Sequence, residues 1–275
     1  PESGLGMETV TGSWARRPAD GILFGCKNKE AFRNAAIANA KEQIDLVPLP
    51  EGNTTHLLQQ DDTDVQKSSA RWGPPGCFCG SCSAKFFSKC SGGFYHGSTG
   101  TFRVTTSTLS ELKISTVPGL GNSYDRNAFR AFAFDSDEEY NNNFINIIRD
   151  YVRAKGTRVM FSSNGPGFDP SHSPDDASIN RIVGPYDFWI SEVSGTYHTQ
   201  SWFWTLRGYT KKFEKKMIIT SGENFDVKKF RQIIAGSYAV GVNYIVPWDM
   251  FLAIGGGRRL YSNAGDYADL YGFVR

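Results

Sequence analysis

The feature that most constrains this chain is a repeating alternation across its second half. Near-continuous apolar runs stand at residues 158–163, 186–193, 216–220 and 243–249, and helical spacing fills 202–213 and 227–240 between them. Short runs that are apolar throughout, joined by helices, predict parallel strands in a sheet covered on both faces. Each run also ends in small or polar residues, such as Ser162-Ser163-Asn164, Ser191-Glu192, Ser221-Gly222-Glu223 and Trp248-Asp249. Barrel enzymes place their sites at that C-terminal edge of the strands.

The first half is less regular. Residues 22–26 read as a strand, and a helix opening at Asn28 or Lys29 runs through Phe32, Ala36, Ile37 and Ala40. Residues 44–49 read as a second strand and 55–60 as a third, with a helix over 84–89. The Gly-, Ser- and Thr-rich stretch 91–127 predicts an irregular insertion, in which 102–106 and 112–114 have strand character. A helix capped by Asp135-Ser136-Asp137-Glu138 then runs through Tyr140, Phe144, Ile148 and Val152. Together these predict an α/β chain, a (β/α)8 barrel in a single domain over residues 1–275, with residues 1–20 as an N-terminal arm. The length of 275 residues sits near the ~250 typical of such barrels. A doubly wound open sheet is the alternative, but no glycine-rich phosphate fingerprint follows an early strand.

Thirty basic and 28 acidic side chains leave a net charge of +2 with no basic block, which argues against a nucleic-acid partner. Nothing approaches the ~18 consecutive apolar residues of a membrane span, so no membrane partner is expected. Asn53-Thr54-Thr55 is an N-glycosylation sequon, which matters if the chain is secreted. Cys77, Cys79 and Cys82 lie within six residues, and Cys26 and Cys90 bring the total to five, an odd number. One or two disulfides are the leading expectation for a secreted chain. Free thiols stand level with them, and a structural metal completed by Cys26, Cys90 or His96 is the least expected of the three.

A family likeness is carried by Gln60-Asp61-Asp62, by Gly76-Cys77-Phe78-Cys79-Gly80-Ser81-Cys82, and by Phe86-Phe87. It is extended by Ser162-Ser163-Asn164, Val246-Pro247-Trp248-Asp249 and residues 267–275. These motifs resemble those of (β/α)8-barrel glycoside hydrolases, clan-A and beta-galactosidase-like relatives with a GCFCxxC turn. The resemblance implies a barrel acting on a carbohydrate. In retaining members the acid/base is commonly a Glu preceded by Asn on strand four, and the nucleophile a Glu on strand seven. No Asn-Glu pair occurs in this sequence, which motivates an alternative: a carbohydrate-binding, lectin-like barrel without catalysis.

Glycoside cleavage needs one carboxyl to protonate the leaving oxygen and a second to attack, or to activate water, across the ring. No cofactor is called for, and no metal ligand is assigned to that site. The expected catalytic residues are Asp62, Glu223 and Glu192. Glu223 follows the penultimate strand, where the resemblance puts a nucleophile, and its bland reading is a helix-capping Glu. Asp62 beside Asp61 is the candidate acid/base, with an Asx turn as the bland reading. Glu192, after the apolar Phe188-Trp189-Ile190, would have its pKa raised by partial burial. Asp61, Asn164, Trp189, Tyr197, His198, Trp248 and Asp249 are the expected substrate-binding residues, Trp248 and Asp249 as a stacking plane beside a hydroxyl acceptor. A third reading, a metal-dependent hydrolase, would use Asp61 and Asp62 with His56 and cysteine ligands. An extracellular location follows from the carbohydrate reading, and the oligomeric state stays open.

Overall fold

The computed structural model describes residues 5–9, 11–14, 25–47, 55–60, 77–117, 119–164, 185–193, 200–221 and 227–244. The architecture is mixed α/β and falls into two compact units. The first holds most of the chain through residue 159, and the second holds, among the described residues, 58–60, 160–164 and the chain from Tyr186 on.

The second unit carries the predicted alternation. Its sheet has the order β1-β5-β6-β7-β8, formed by Thr55–Gln60, Arg158–Asn164, Phe188–Val193, Lys216–Ser221 and Asn243–Tyr244. Strands β5 to β8 run parallel. Among the described residues the order is open, with β1 and β8 at its ends. Phe188, Trp189 and Ile190 are consecutive and all buried, as a strand covered on both faces requires. Phe161, Met217 and Ile219 bury beside them. Asp187 fixes where β6 begins: its amide donates to the Phe161 carbonyl at 2.9 Å and its Oδ2 accepts from the Phe161 amide at 2.7 Å. The helices α5 (Gln200–Phe213) and α6 (Val227–Ala239) make the crossovers from β6 to β7 and from β7 to β8. They approach closely at Gly236, where a Cβ would lie 2.6 Å from the Phe203 ring. Any larger residue there would push the helices apart.

The first unit departs more from expectation. Helix α1 (Glu30–Leu46) starts where the spacing placed it but runs on through residues 44–46, which had read as a strand. The reason is the i, i+4 stripe: Ile44 extends the buried face of Ala40 by one more turn. Asp45 in that last turn accepts from the Tyr151 hydroxyl at 2.7 Å and pairs with Lys155. Of the first predicted strand, Gly25 bridges to Gly6 and the Cys26 amide donates to the Leu5 carbonyl at 2.8 Å, while 22–24 lie outside the described residues.

The stretch 91–127 is not an irregular insertion. After helix α2 (Gly80–Ser88) come three short antiparallel strands, β2 (Cys90–Ser91), β3 (Phe94–Gly97) and β4 (Gly100–Arg103). The turn between β2 and β3 places Gly92 and Gly93 at φ 56° and 79°, a backbone that L side chains rarely adopt. The glycines that had suggested irregularity are therefore turn residues of a regular ribbon. Residues 112–114 are helical, not extended: α3 (Leu109–Thr116) is opened by a complete capping box between Thr108 and Glu111. Leu112 and Thr116 are buried on one face and Ile114 is exposed on the other.

Helix α4 (Ser123–Ala154) is 32 residues long, and Asn122 caps it by accepting from the Asp125 amide. Asp135, Ser136 and Asp137 are thus buried mid-helix residues and not a cap. Partners from distant segments hold them there. The Tyr95 hydroxyl donates to Asp135 Oδ2, Ser98 Oγ donates to Asp135 Oδ1 at 2.6 Å, and Lys27 pairs with Asp137 at 2.8 Å. An aromatic core fills the unit, with Phe86 stacked on Tyr95 (5.5 Å) and set edge-on to Phe129 (5.2 Å), and Phe78 against Phe129 (4.8 Å).

Candidate metal centre and sheet edge

Four cysteines meet in the first unit. The Sγ atoms of Cys26, Cys77, Cys79 and Cys82 all lie within 4.8 Å of one another. Cys26 Sγ stands 3.4 Å from Cys82 Sγ and 3.7 Å from Cys79 Sγ. All four are at most 3% exposed. All five cysteines of the chain are free thiols, so the disulfides expected of a secreted chain are not formed here.

Backbone pairing assembles this cluster from two remote segments. The Phe78 amide donates to the Glu8 carbonyl at 2.8 Å, and the Glu8 amide donates to Cys77 Sγ at 3.3 Å. Cys26 follows the bridge at Gly25. Cys79 is the N-cap of α2 and Cys82 stands in its first turn, so the helix dipole favours negative charge on both sulfurs. Asn28 Nδ2 donates to Cys82 Sγ at 3.3 Å and to Ser136 Oγ at 3.1 Å, and Asn28 Oδ1 accepts from Lys85 Nζ at 2.9 Å. Lys85 in turn pairs with Glu139 at 2.7 Å.

The thiols share their protons unequally. A hydrogen bond with Cys26 is the main influence holding Cys79 below the ordinary thiol range, and Cys77 is lowered by the same partner. Cys26 and Cys82 are pushed up, chiefly by hydrogen bonding to Cys77 and Cys26 respectively. Cys90 stands apart. Its Sγ donates to the Phe86 carbonyl at 3.3 Å, and burial, then the nearby Asp125 charge, pushes it up to about 11.

The chain matches no known family and no curated protein.

Of the residues expected to form a carbohydrate site, β5 ends at Asn164 and β6 contains both Trp189 and Glu192. In the β6–β7 register Trp189 faces Met217 and Glu192 faces Thr220, so Glu192 stands at the C-terminal end of the parallel strands. Trp189 is fully buried and belongs to the core of the unit, which leaves no ring face open to a sugar. Asp61, Asp62, Tyr197, His198, Glu223, Trp248 and Asp249 lie outside the described residues. The four-cysteine group includes neither His56 nor His96. The sequence signal for the thiol cluster was the Cys77–Cys82 spacing. What sequence could not show is that Cys26 is the residue that closes it.

Proposed function

We propose that the chain is a glycoside hydrolase whose site lies at the C-terminal edge of the five-stranded sheet. One observation supports this reading above others. β6 and β7 run parallel in a register that pairs Glu192 with Thr220. Glu192 therefore sits at the strand end, and Glu223 follows in sequence two residues after Ser221, the last of β7. Asp61 and Asp62 likewise follow directly on Gln60, the last residue of β1. Of these, Glu192 lies in β6 and Glu223 follows the neighbouring strand β7, and hydrolysis across a sugar ring requires two such carboxyls. The wider proposal is that the sheet belongs to a (β/α)8 barrel in an extracellular protein, acting without a cofactor on an oligo- or polysaccharide.

The test begins with a panel of polysaccharides assayed for reducing ends. Glu223→Gln and Asp62→Asn are each expected to lower turnover by about 10²–10⁴-fold on whichever substrate is cleaved, with unchanged circular dichroism. Full turnover by Glu223→Gln would remove it from the mechanism. The absent Asn-Glu pair favours a second reading, a carbohydrate-binding protein without catalysis. Saturable binding to a glycan array, with no product released from any bound sugar, would select that reading.

A further inference from the structure

We propose that Cys26, Cys77, Cys79 and Cys82 bind a single zinc ion as a closed tetrahedral centre that joins the N-terminal segment to the start of α2. This inference is independent of the glycosidase reading, since its residues belong to the first unit and none of them is asked to touch a sugar.

Geometry selects a single ion. A tetrahedral ion with Zn–S bonds near ~2.3 Å spaces its sulfurs by roughly 3.8 Å. The observed separations of 3.4 and 3.7 Å, and the 4.8 Å limit on all pairs, match that spacing. A bonded disulfide holds its sulfurs at about 2.05 Å, far shorter than any of these. An iron–sulfur cluster places several iron and sulfide atoms among its ligands and needs a wider mouth than four thiols this close provide. Four sulfur donors without a histidine or carboxylate fill every position, so no water is left to activate and the centre is structural.

The surroundings fit a thiolate set carrying excess negative charge. The Glu8 amide and Asn28 Nδ2 each donate to a ligand sulfur at 3.3 Å, and the N-terminus of α2 faces the pair Cys79 and Cys82. Such outer donors orient ligands and tune metal affinity. Without an ion, Cys26 and Cys79 would meet only other sulfurs among their hydrogen-bond partners here, and all four thiols would be crowded into a dry core. An ion displaces their protons to solvent and converts repulsion between thiolates into coordination.

The full chain, expressed in zinc-supplemented medium and purified under reducing conditions, is expected to carry one zinc per chain by elemental analysis. Titration of the native protein with a mercurial, read by a zinc-sensitive dye, should complete release as four thiols are consumed. Cys90→Ser should leave the zinc content unchanged, Cys79→Ser should abolish it, and Asn28→Ala should weaken retention about 10–100-fold. If Cys79→Ser fails to fold, cobalt substitution of the wild-type chain serves instead, because a tetrathiolate site gives intense visible absorption. A chain free of metal with five titratable thiols, a chain with disulfides among these four, or stoichiometric iron in place of zinc would each overturn the proposal.

Discussion

Asp125 is a buried carboxylate with a full set of donors. It accepts from the Thr105 amide at 2.6 Å, Thr105 Oγ1 at 2.7 Å and Asn122 Nδ2 at 2.8 Å. Burial alone would raise its pKa, but the Thr105 and Asn122 hydrogen bonds outweigh it and the net displacement is downward. A carboxyl depressed on folding adds stability above its unfolded pKa of about 3.9, and that contribution is lost as pH falls through the folded value. Asp125→Ala is expected to cost roughly 2–4 kcal/mol at neutral pH, because it leaves three donors facing an empty site. Asp125→Asn should flatten the acid limb of Tm against pH below about pH 4. If its acid limb superimposes on that of the wild type, the hydrogen bonds at Asp125 do not contribute in this way. At this scale the sequence was an uneven guide. It exposed the Cys77-x-Cys79-x-x-Cys82 spacing but offered Cys26, Cys90 and His96 equally as a fourth member. The choice of Cys26 depends on backbone pairing of residues 5–8 with 26 and 78, which has no local signature.

Among the elements, strands β5 to β7 and the two helices of the second unit were legible because each was uniformly patterned over six residues or more. Phe188-Trp189-Ile190 and Lys216–Ser221 announce buried parallel strands by composition alone, and both are strands. The first unit failed where polar residues were read by their usual habits. Asp135, Ser136 and Asp137 resembled a cap because short polar side chains usually compete with helix interiors. Here Tyr95, Ser98, Lys27 and Asn28 satisfy them inside a helix that had already run for three turns. Helix α3 was missed for the opposite reason. At eight residues it is too short to establish periodicity, and its decisive signal is the Thr108–Glu111 box. That box is a test of the reading. Thr108→Ala should lower stability by ~0.5–2 kcal/mol in denaturant unfolding, while Ile114→Ala on the exposed face should fall within about 0.5 kcal/mol of wild type. Equal losses at both positions would mean that α3 is held by packing of its whole surface and not by its cap.

For the whole molecule, the two units differ in what holds them together. In the second, apolar strands covered by crossover helices bury Phe161, Trp189, Met217, Ile219 and Ile233, which is sufficient reason for a sheet to persist. In the first, the same core contains the four cysteines together with Phe78, Phe86, Tyr95, Phe129 and Phe132. Removing an ion from the centre of that core would replace four metal–sulfur bonds with weak thiol hydrogen bonds against the aromatic rings. Binding that favours only the folded state contributes to its stability, so zinc removal should act first where the ligands are. Hydrogen exchange on the full chain, before and after mercurial displacement of zinc, distinguishes the units. Amides of α2 and of β3 should lose protection by at least about 10-fold, the change expected from ~1.4 kcal/mol of lost local stability. Amides in the β6–β7 ladder should keep theirs, since no ligand comes from that sheet. Loss of protection at the same rate in β6 and β7 would mean that the tetrathiolate centre governs the folding of the entire chain and not of one unit.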